Sequence, residues 1–220
     1  MTEYAKTDIN QVRRLAKRAD YDRETVLAIV DAAPICHVGF VFEGRPFVIP
    51  TIHGRVGEVI YFHGAPASRM LKQIQAGAEL CVTVTHLDGL VLARSVFHHS
   101  MNYRSVMLFG KGRLVEEAAE VWDALRAITE HVLPGRWDDA RQPNPAELAA
   151  TKVVAMQIEH ASAKVRTGPP GDDEEDYALP VWAGVLPLAH TALDPVDDPR
   201  LAPGIPVPDY VRIYADRLTG

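Results

Sequence analysis

The chain has 220 residues, of which 47% are hydrophobic and 24% are charged, a balance typical of a globular protein with one domain of ordinary size. No apolar run approaches the roughly 20 residues that a membrane-spanning helix needs, and no apolar signal segment follows the N-terminus, so we expect a cytoplasmic protein. The net charge of −6 argues against a general binder of nucleic acids or anionic membranes, because both depend on a basic surface.

The N-terminal residues 1–20 are rich in charge and predict a solvated arm or a frayed helix. Asp20 or Asp22 is then in position to cap a helix. The apolar stripe of this helix consists of Val26, Leu27, Ile29 and Val30.

Short β-rich segments follow. The first, Ile35–Phe42, is almost wholly apolar, which predicts a strand buried on both faces. The other predicted strands are Arg45–Gly54, Val59–His63, Leu80–Thr85, Leu90–Val96, Tyr103–Val115 and Val153–Val165. Asp88-Gly89 is expected to break the sheet between two of them, and Gly110 with Gly112 to mark a bulge or bend. Cys36 and Cys81 lie inside these segments, which predicts buried free thiols rather than a disulfide.

Helices interrupt the strands late in the chain. Glu117–Leu133 has helical apolar spacing and ends at Pro134-Gly135, and Pro145–Thr151 predicts a shorter helix. The proline-rich remainder cannot form a core alone, so we expect it to wrap over the domain or a partner subunit. We therefore predict an arm (1–20), an α+β domain built as a closed or nearly closed antiparallel barrel (21–167) and a tail (168–220).

The segment Tyr61–Ile74 carries the first candidate chemistry. A strand ends at His63-Gly64, and Ser68 is a good N-cap for a helix. Arg69 and Lys72 are three residues apart and therefore lie on the same side of its first turn. A helix N-terminus with two cations suits a phosphate group, although an ordinary surface helix with two solvated cations explains the spacing equally well.

Two further polar segments are candidates for a ligand site. His98–Val106 is a dense polar and aromatic group before an apolar strand, which either lines a ligand mouth or holds loop imidazoles in ordinary hydrogen bonds. No HExxH, CxxC or regular carboxylate spacing accompanies it, so we predict no metal site. Lys164 and Arg166 alternate on a strand and share one face, where an anionic ligand, the acidic run Asp172–Asp176 or solvent would meet them. Trp182 is the one large anchor of the tail.

In this order the segments resemble the pyridoxamine 5′-phosphate oxidase-related flavoproteins, and more narrowly their nitroimidazole reductase-like branch. The resemblance runs from about Asp20 to Pro187. The motifs that carry it are His63-Gly64, Ser68-Arg69, Asp88–Arg94, His98–Val106, Ser162–Pro170 and Trp182–Pro187.

The resemblance implies an FMN-binding split β-barrel and a homodimer with two FMN molecules at its interface. It assigns the cofactor contacts to the end of the second strand, the strand-to-helix segment, the start of the strand after the hairpin, and late residues that close the site. The residues at these places are Pro50, Thr51 and Ile52; His63, Gly64, Ser68, Arg69 and Lys72; Tyr103, Arg104 and Ser105; and Lys164, Arg166 and Trp182.

The sequence also departs from that family. Met70 stands where pyridoxamine phosphate oxidases carry a lysine, and their C-terminal arginine-and-histidine signature is missing, so vitamin B6 oxidase activity is not predicted. We expect an FMN-dependent oxidoreductase that passes electrons to a small molecule, with His53 and His99 as candidates for proton transfer at the substrate mouth. The alternatives are a flavin-binding or flavin-sensing protein without turnover, and a split barrel that holds haem or the deazaflavin F420.

Overall fold

Ten strands and six α-helices make up the part of the chain that the computed structural model describes, residues 2–219. The strands are β1 (Ala19–Asp20), β2 (Ile35–Phe42), β3 (Arg45–Ile52), β4 (Gly54–Val56), β5 (Val59–Gly64), β6 (Glu79–Leu92), β7 (Ser100–Leu114), β8 (Lys152–Gln157), β9 (His160–Arg166) and β10 (Gly184–Pro187). The helices are α1 (Arg23–Asp31), α2 (Arg69–Gln75), α3 (Ala118–Val132), α4 (Arg136–Asp139), α5 (Pro145–Ala150) and α6 (Asp209–Thr219). Within this range, no helix has the length and apolar character needed to cross a membrane.

All strand pairs are antiparallel, and the main path through the sheet runs β3-β2-β6-β7-β8-β5-β4. The long strand β7 pairs with β9 over its first half and with β8 at its end. Gly110 lies between the two partners, where an added Cβ would lie 2.1 Å from the Gln157 carbonyl oxygen. Antiparallel strands with flanking helices give the α+β architecture that the sequence predicts.

Two hydrophobic clusters hold the barrel together. The larger fills the barrel and is covered by α1 and α2, and the smaller lies between the strands and α3. The first includes Val30, Phe62, Leu71, Val82 and Met156, and the second includes Tyr61, Val115, Ala124, Ile128 and Val153. Cys36 is buried and Cys81 half-buried, and both thiols are free, so the second is less enclosed than expected.

Several sequence predictions of the strands need correction. β2 is buried on one face only: Ile35 is 45% and Val41 56% exposed, because no element of the described chain covers the other side of the sheet. Asp88-Gly89 does not break the sheet but forms a register shift inside the continuous strand β6, which a β-bulge accommodates. Val153–Val165 is two strands, β8 and β9, separated at Ile158 and Glu159.

The N-terminal arm is only partly solvated. Asn10 is buried and donates hydrogen bonds from its side-chain amide to the carbonyl oxygens of Ala5 and Ala161, both at 2.9 Å. Tyr4 is 2% exposed and packs in the core. The arm is therefore fixed to the barrel by these two buried side chains, while most of its other residues are exposed. Helix α1 begins as predicted, with Asp22 accepting the backbone N–H of Thr25 at 2.9 Å.

Helix α3 lies directly on strand β4. A Cβ added at Gly54 would lie 2.5 Å from the backbone carbon of Ala127 and from the backbone nitrogen of Ile128. Real Cβ atoms do not approach backbone atoms so closely, so only glycine permits this contact. The predicted helix Glu117–Leu133 is thus confirmed, and its position is set by a glycine in a neighbouring strand.

The same contact encloses a pair of histidines. His53, which directly precedes Gly54, is fully buried, and its ring lies 4.2 Å from that of His131 on α3. Nε2 of His53 faces the Val30 carbonyl oxygen at 3.3 Å, while its buried Nδ1 has no partner. Burial, and secondarily His131, lowers the pKa of His53 to about 4. His53 is therefore a neutral core residue, enclosed away from any open substrate mouth.

We expect Gly54→Ala to destabilise the protein by about 3 kcal/mol, because the added methyl group forces α3 away from the sheet. Chemical denaturation monitored by circular dichroism measures this change. Gly171→Ala is the matched control, since no atom lies within 4 Å of its Cβ position. Equal effects of the two substitutions would show that α3 does not depend on this contact.

The buried histidine predicts a pH dependence of stability. The pKa of His53 is lower in the folded protein than its ordinary 6.5, so the unfolded chain binds more protons between about pH 4 and 6.5 and stability falls as the pH falls through that window. Between pH 7 and 5 this contributes a loss of about 2 kcal/mol. His53→Gln keeps an amide that can donate to Val30. Urea titrations at both pH values should show that its free energy of unfolding falls by about 2 kcal/mol less than that of the parent. The control His190→Gln, at an exposed site, should lose as much stability between pH 7 and pH 5 as the parent does.

Candidate functional site

The strand-to-helix segment folds as the sequence predicts. β5 ends at Gly64, and Ser68 caps α2 by accepting the Leu71 backbone N–H on its hydroxyl oxygen at 3.2 Å. Met70, Leu71 and Ile74 are buried, which leaves Arg69 and Lys72 exposed on the outer side. The Arg69 guanidinium lies over the Phe47 ring, 5.2 Å from its centroid. The segment therefore presents two cations beside an N-cap hydroxyl.

The end of the second barrel strand, β3, lies along the open edge of the sheet. Pro50 and Thr51 pair with His37 and Cys36 of β2. Pro50 is exposed and Thr51 half-buried, so both are accessible from outside the barrel. Ile52, at the strand end, instead lines a separate pocket together with His63.

The start of β7 and the end of β9 bring four candidate residues onto one face. Tyr103 is opposite Arg166, and Ser105 is opposite Lys164. Because strand residues alternate between faces, Arg104 points to the other side. There it forms a two-pronged ion pair with Asp88, with contacts of 3.0 and 2.8 Å, which lowers the pKa of that carboxyl. Arg104 is thus separated from Tyr103 and Ser105, with which the resemblance had grouped it as a cofactor contact.

Arg166 is a half-buried cation that forms no ion pair with any described carboxylate. It donates to the Asn102 side-chain oxygen and to the carbonyl oxygens of Gly168 and Pro169, at 3.2 and 3.1 Å for the two carbonyls. Burial, and secondarily Arg18, lowers its pKa. A guanidinium that has only neutral partners keeps a net positive charge that an anionic ligand can neutralise.

The acidic run does not compete for Lys164 and Arg166. Asp172 is turned inward to Arg94, where its carboxylate accepts the backbone N–H groups of Arg94 and Ser95 at 2.9 and 3.1 Å and the Arg94 guanidinium at 3.2 Å. The sequence left open that the acidic run pairs with Lys164 and Arg166, and in the fold it does not. The tail is held by this contact and by pairing of β10 with β6.

The remaining candidates have ordinary structural roles within the chain. His98 faces Asp173 at 3.3 Å, and His99 contacts the Ser95 carbonyl oxygen at 3.0 Å. Trp182 is 68% exposed and covers Gly184 of β10 rather than entering the barrel, so it does not anchor the tail as expected. The described residues contain no group of three or more histidine, cysteine or acidic side chains able to bind a metal ion.

A helix-lined pocket of about 550 Å³ opens beside α3. It is walled by α3, α4, α5 and the ends of β3 and β5, and most of its lining is apolar. The lining residues are Ile52, His63, Leu125, Ile128, Thr129, Val132, Leu133, Arg136, Trp137, Arg141, Pro143, Glu147, Leu148 and Thr151. The sequence analysis foresaw Ile52 and His63 as ligand contacts but not this pocket. The apolar face of α3, followed by two arginines, was the available signal.

Among the residues that the structure describes, His63 is the one histidine that lines the helix-lined pocket. The side chain is half-buried, its Nδ1 is buried without a hydrogen-bond partner, and burial lowers its pKa. A neutral imidazole with an unpaired nitrogen is a good ligand for a transition metal and a weak partner for a phosphate. The structure therefore separates His63 from the phosphate-binding role that the resemblance gave it.

Comparison with known proteins agrees with this architecture. Residues 22–165 match the model of the pyridoxamine 5′-phosphate oxidase family. The chain is similar to the flavocytochrome Anf3 of Azotobacter vinelandii, with 44% identity, a TM-score of 0.89 and coverage of 94% of this chain and 96% of that chain. It is also similar to an FAD and haem binding protein of Mycobacterium smegmatis, with 37% identity, a TM-score of 0.85 and coverage of 92% and 98%.

A more distant similarity links the chain to a candidate 5-nitroimidazole antibiotic resistance protein of Bacteroides thetaiotaomicron. The identity is 25% and the TM-score 0.58, over 67% of this chain and 86% of that chain. No curated protein matches the chain. With a family model that matches well over half of its residues, the chain belongs to the pyridoxamine 5′-phosphate oxidase family.

Proposed function

We propose that this chain is a flavin-binding oxidoreductase that acts as a homodimer and passes electrons to a small molecule in the cytoplasm. The observation that carries the proposal is similarity over more than nine-tenths of the chain to two proteins described as a flavocytochrome and as an FAD and haem binding protein. The free thiols of Cys36 and Cys81 agree with a reducing compartment.

The face that carries Tyr103, Ser105, Lys164 and Arg166 supports an anionic cofactor. Its two cations point the same way, and no described carboxylate forms an ion pair with either of them. Charge-assisted hydrogen bonds from such donors to phosphate or to the flavin ring are about twice as strong as neutral ones. A bound flavin supplies the electron transfer, while these side chains bind and orient it.

The cations of the strand-to-helix segment, Arg69 and Lys72, lie far from this face. Arg69 lies over the Phe47 ring, and the pairing of β3, β2, β6 and β7 puts Phe47 level with Gly110 of β7. Tyr103 precedes Gly110 by seven residues, which at 3.3 Å per residue is about 23 Å along the strand. A flavin that contacts both groups is most simply shared between two copies of the chain, with Ser68, Arg69 and Lys72 of one copy at its phosphate.

The open face of the sheet supports the same dimer. The strand register puts a set of apolar side chains on the face that carries Tyr103 and Lys164. They are Ile35 (45% exposed), Val41 (56%), Val48 (66%), Leu87 (37%) and Met107 (46%). A contiguous apolar patch bordered by polar donors is typical of a protein–protein interface.

The flavin is either FMN, as the family resemblance implies, or FAD, which the similar protein of Mycobacterium smegmatis binds. The ring and its first phosphate are common to both, so the residues discussed above serve either molecule. A deazaflavin such as F420 and a flavin-sensing role without turnover are the remaining alternatives for this face.

Haem is the second cofactor that we propose for this chain. Of the two similar proteins that match nearly its whole length, one is a flavocytochrome and the other binds FAD and haem. The observation in this structure that favours haem is an open, mostly apolar pocket that is lined by a histidine.

The cofactors can be identified on the purified protein. We expect an oxidised flavin spectrum, and chromatography of the released cofactor then distinguishes FMN from FAD. Anaerobic mixing with NADH or NADPH should bleach the flavin. A colourless protein that takes up neither FMN nor FAD would contradict flavin binding, while a flavin that no donor reduces would leave the sensing alternative.

Arg69→Ala should weaken flavin binding by about 1–3 kcal/mol, because the substitution removes a charge-assisted hydrogen bond to phosphate. Fluorescence titration of the apoprotein measures the affinity. Arg126→Ala removes an exposed arginine from α3 and is the matched control. If both variants bind flavin as tightly as the parent, Arg69 lies outside the site.

Val48→Lys should convert the dimer to a monomer, because a lysine on the open face must be desolvated when two copies associate. Sedimentation velocity measures the mass, and flavin content is expected to fall along with it. The control Val196→Lys places the same charge on a tail residue that is 93% exposed. A Val48→Lys protein that remains dimeric would move the interface to another surface.

A further inference from the structure

We propose that haem binds in the helix-lined pocket, with the His63 imidazole as the protein ligand of the iron and with Arg136 and Arg141 at the haem carboxylates. The inference rests on the proposed haem function and adds the site, which the comparisons do not assign. It moves His63 from the flavin site to a second, separate cofactor site of the same chain.

His63 has the chemistry of an axial ligand. It stands at the end of β5, where pairing of His63 with Val153 of β8 fixes the backbone. Its Nδ1 is buried and unpaired, and none of the hydrogen bonds among the described residues involves its ring. Neutral imidazole is the usual protein ligand of haem iron.

The pocket suits a flat apolar body. Leu125, Ile128 and Val132 lie on one face of α3, and Leu133, Trp137 and Leu148 supply further apolar wall from the neighbouring segments. Trp137 is itself held edge-on by Trp122, with ring centroids 5.3 Å apart. The volume of about 550 Å³ falls within the range of cofactor pockets.

Two cations stand at the rim of this apolar pocket. Arg136 donates to Asp139 at 3.2 Å and to the Tyr210 hydroxyl at 2.9 Å. Arg141 forms a two-pronged contact with Glu147, at 3.1 and 2.6 Å, and also donates to the Gln142 carbonyl oxygen. Both arginines are ion-paired but largely exposed to solvent, so a haem carboxylate would compete with Asp139 and Glu147 for their N–H donors. An apolar body with two carboxylates at one edge matches the chemistry of haem.

Other histidines of the described chain are less suitable. His53 and His131 are packed against each other and contact the carbonyl oxygens of Val30 and Ala33. His86 contacts the Ile29 carbonyl oxygen. His37 lies on the exposed sheet face that we assign to the dimer, beside a shallow cavity of about 500 Å³, and is the rival ligand that an experiment must exclude.

The test uses the full chain, purified with its flavin and titrated with hemin. We expect the parent protein to develop a Soret band at one haem per chain, and His63→Gly to lose the band or shift it strongly. Added imidazole should then restore the parent spectrum, since it can occupy the space left by the side chain. His37→Gly, the matched control, should take up haem as the parent does.

A second variant keeps the inference testable if His63→Gly does not fold. Arg141→Gln changes an exposed rim residue, and we expect haem to transfer from it to apomyoglobin at least about ten times faster than from the parent. Absence of haem uptake by the parent protein contradicts the proposed haem function itself. Unchanged spectra of His63→Gly, or loss of haem in His37→Gly instead, overturn the site while leaving haem binding intact.

Discussion

The contact between helix α3 and strand β4 at Gly54 is the constraint on which the candidate haem site depends. Without a side chain at Gly54, the helix backbone rests against the strand, and the apolar face of α3 becomes one wall of the helix-lined pocket. The short helices α4 and α5 follow from the end of α3 and complete the other walls. A single absent methyl group thus determines the position of a pocket built from five separate segments.

Around the proposed flavin face, charge pairing decides which cations remain for the flavin. Arg104 is committed to Asp88, and Arg94 to the inward-turned Asp172. Lys164 and Arg166 form no such ion pair and share one face with Tyr103 and Ser105. The fold therefore pairs some basic residues internally and leaves others free on the open face, where we propose that the flavin binds.

The sequence predicted local structure well where periodicity and capping were strong. Helices α1, α2 and α3 lie where the apolar spacing and the residues Asp22 and Ser68 indicated. The predictions failed where nonlocal pairing overrode local signals. Asp88-Gly89 reads as a turn, but pairing with β7 and β10 carries β6 through it as a bulge. The apolar run of β2 reads as doubly buried, but one of its faces is left open within the chain, where we propose that a second copy binds.

The sequence by itself determined the family, the α+β barrel and the paired cations Arg69 and Lys72, because short-range spacing and ordered motifs suffice for each of them. Only the tertiary structure decided that His53 is enclosed against His131, that Arg104 is ion-paired with Asp88, and that His63 lies with Leu125, Arg136 and Leu148. The physical reason is that these relations join residues from distant parts of the chain. They depend on how closely backbones approach and on which elements the fold brings together, and neither property is encoded in local spacing.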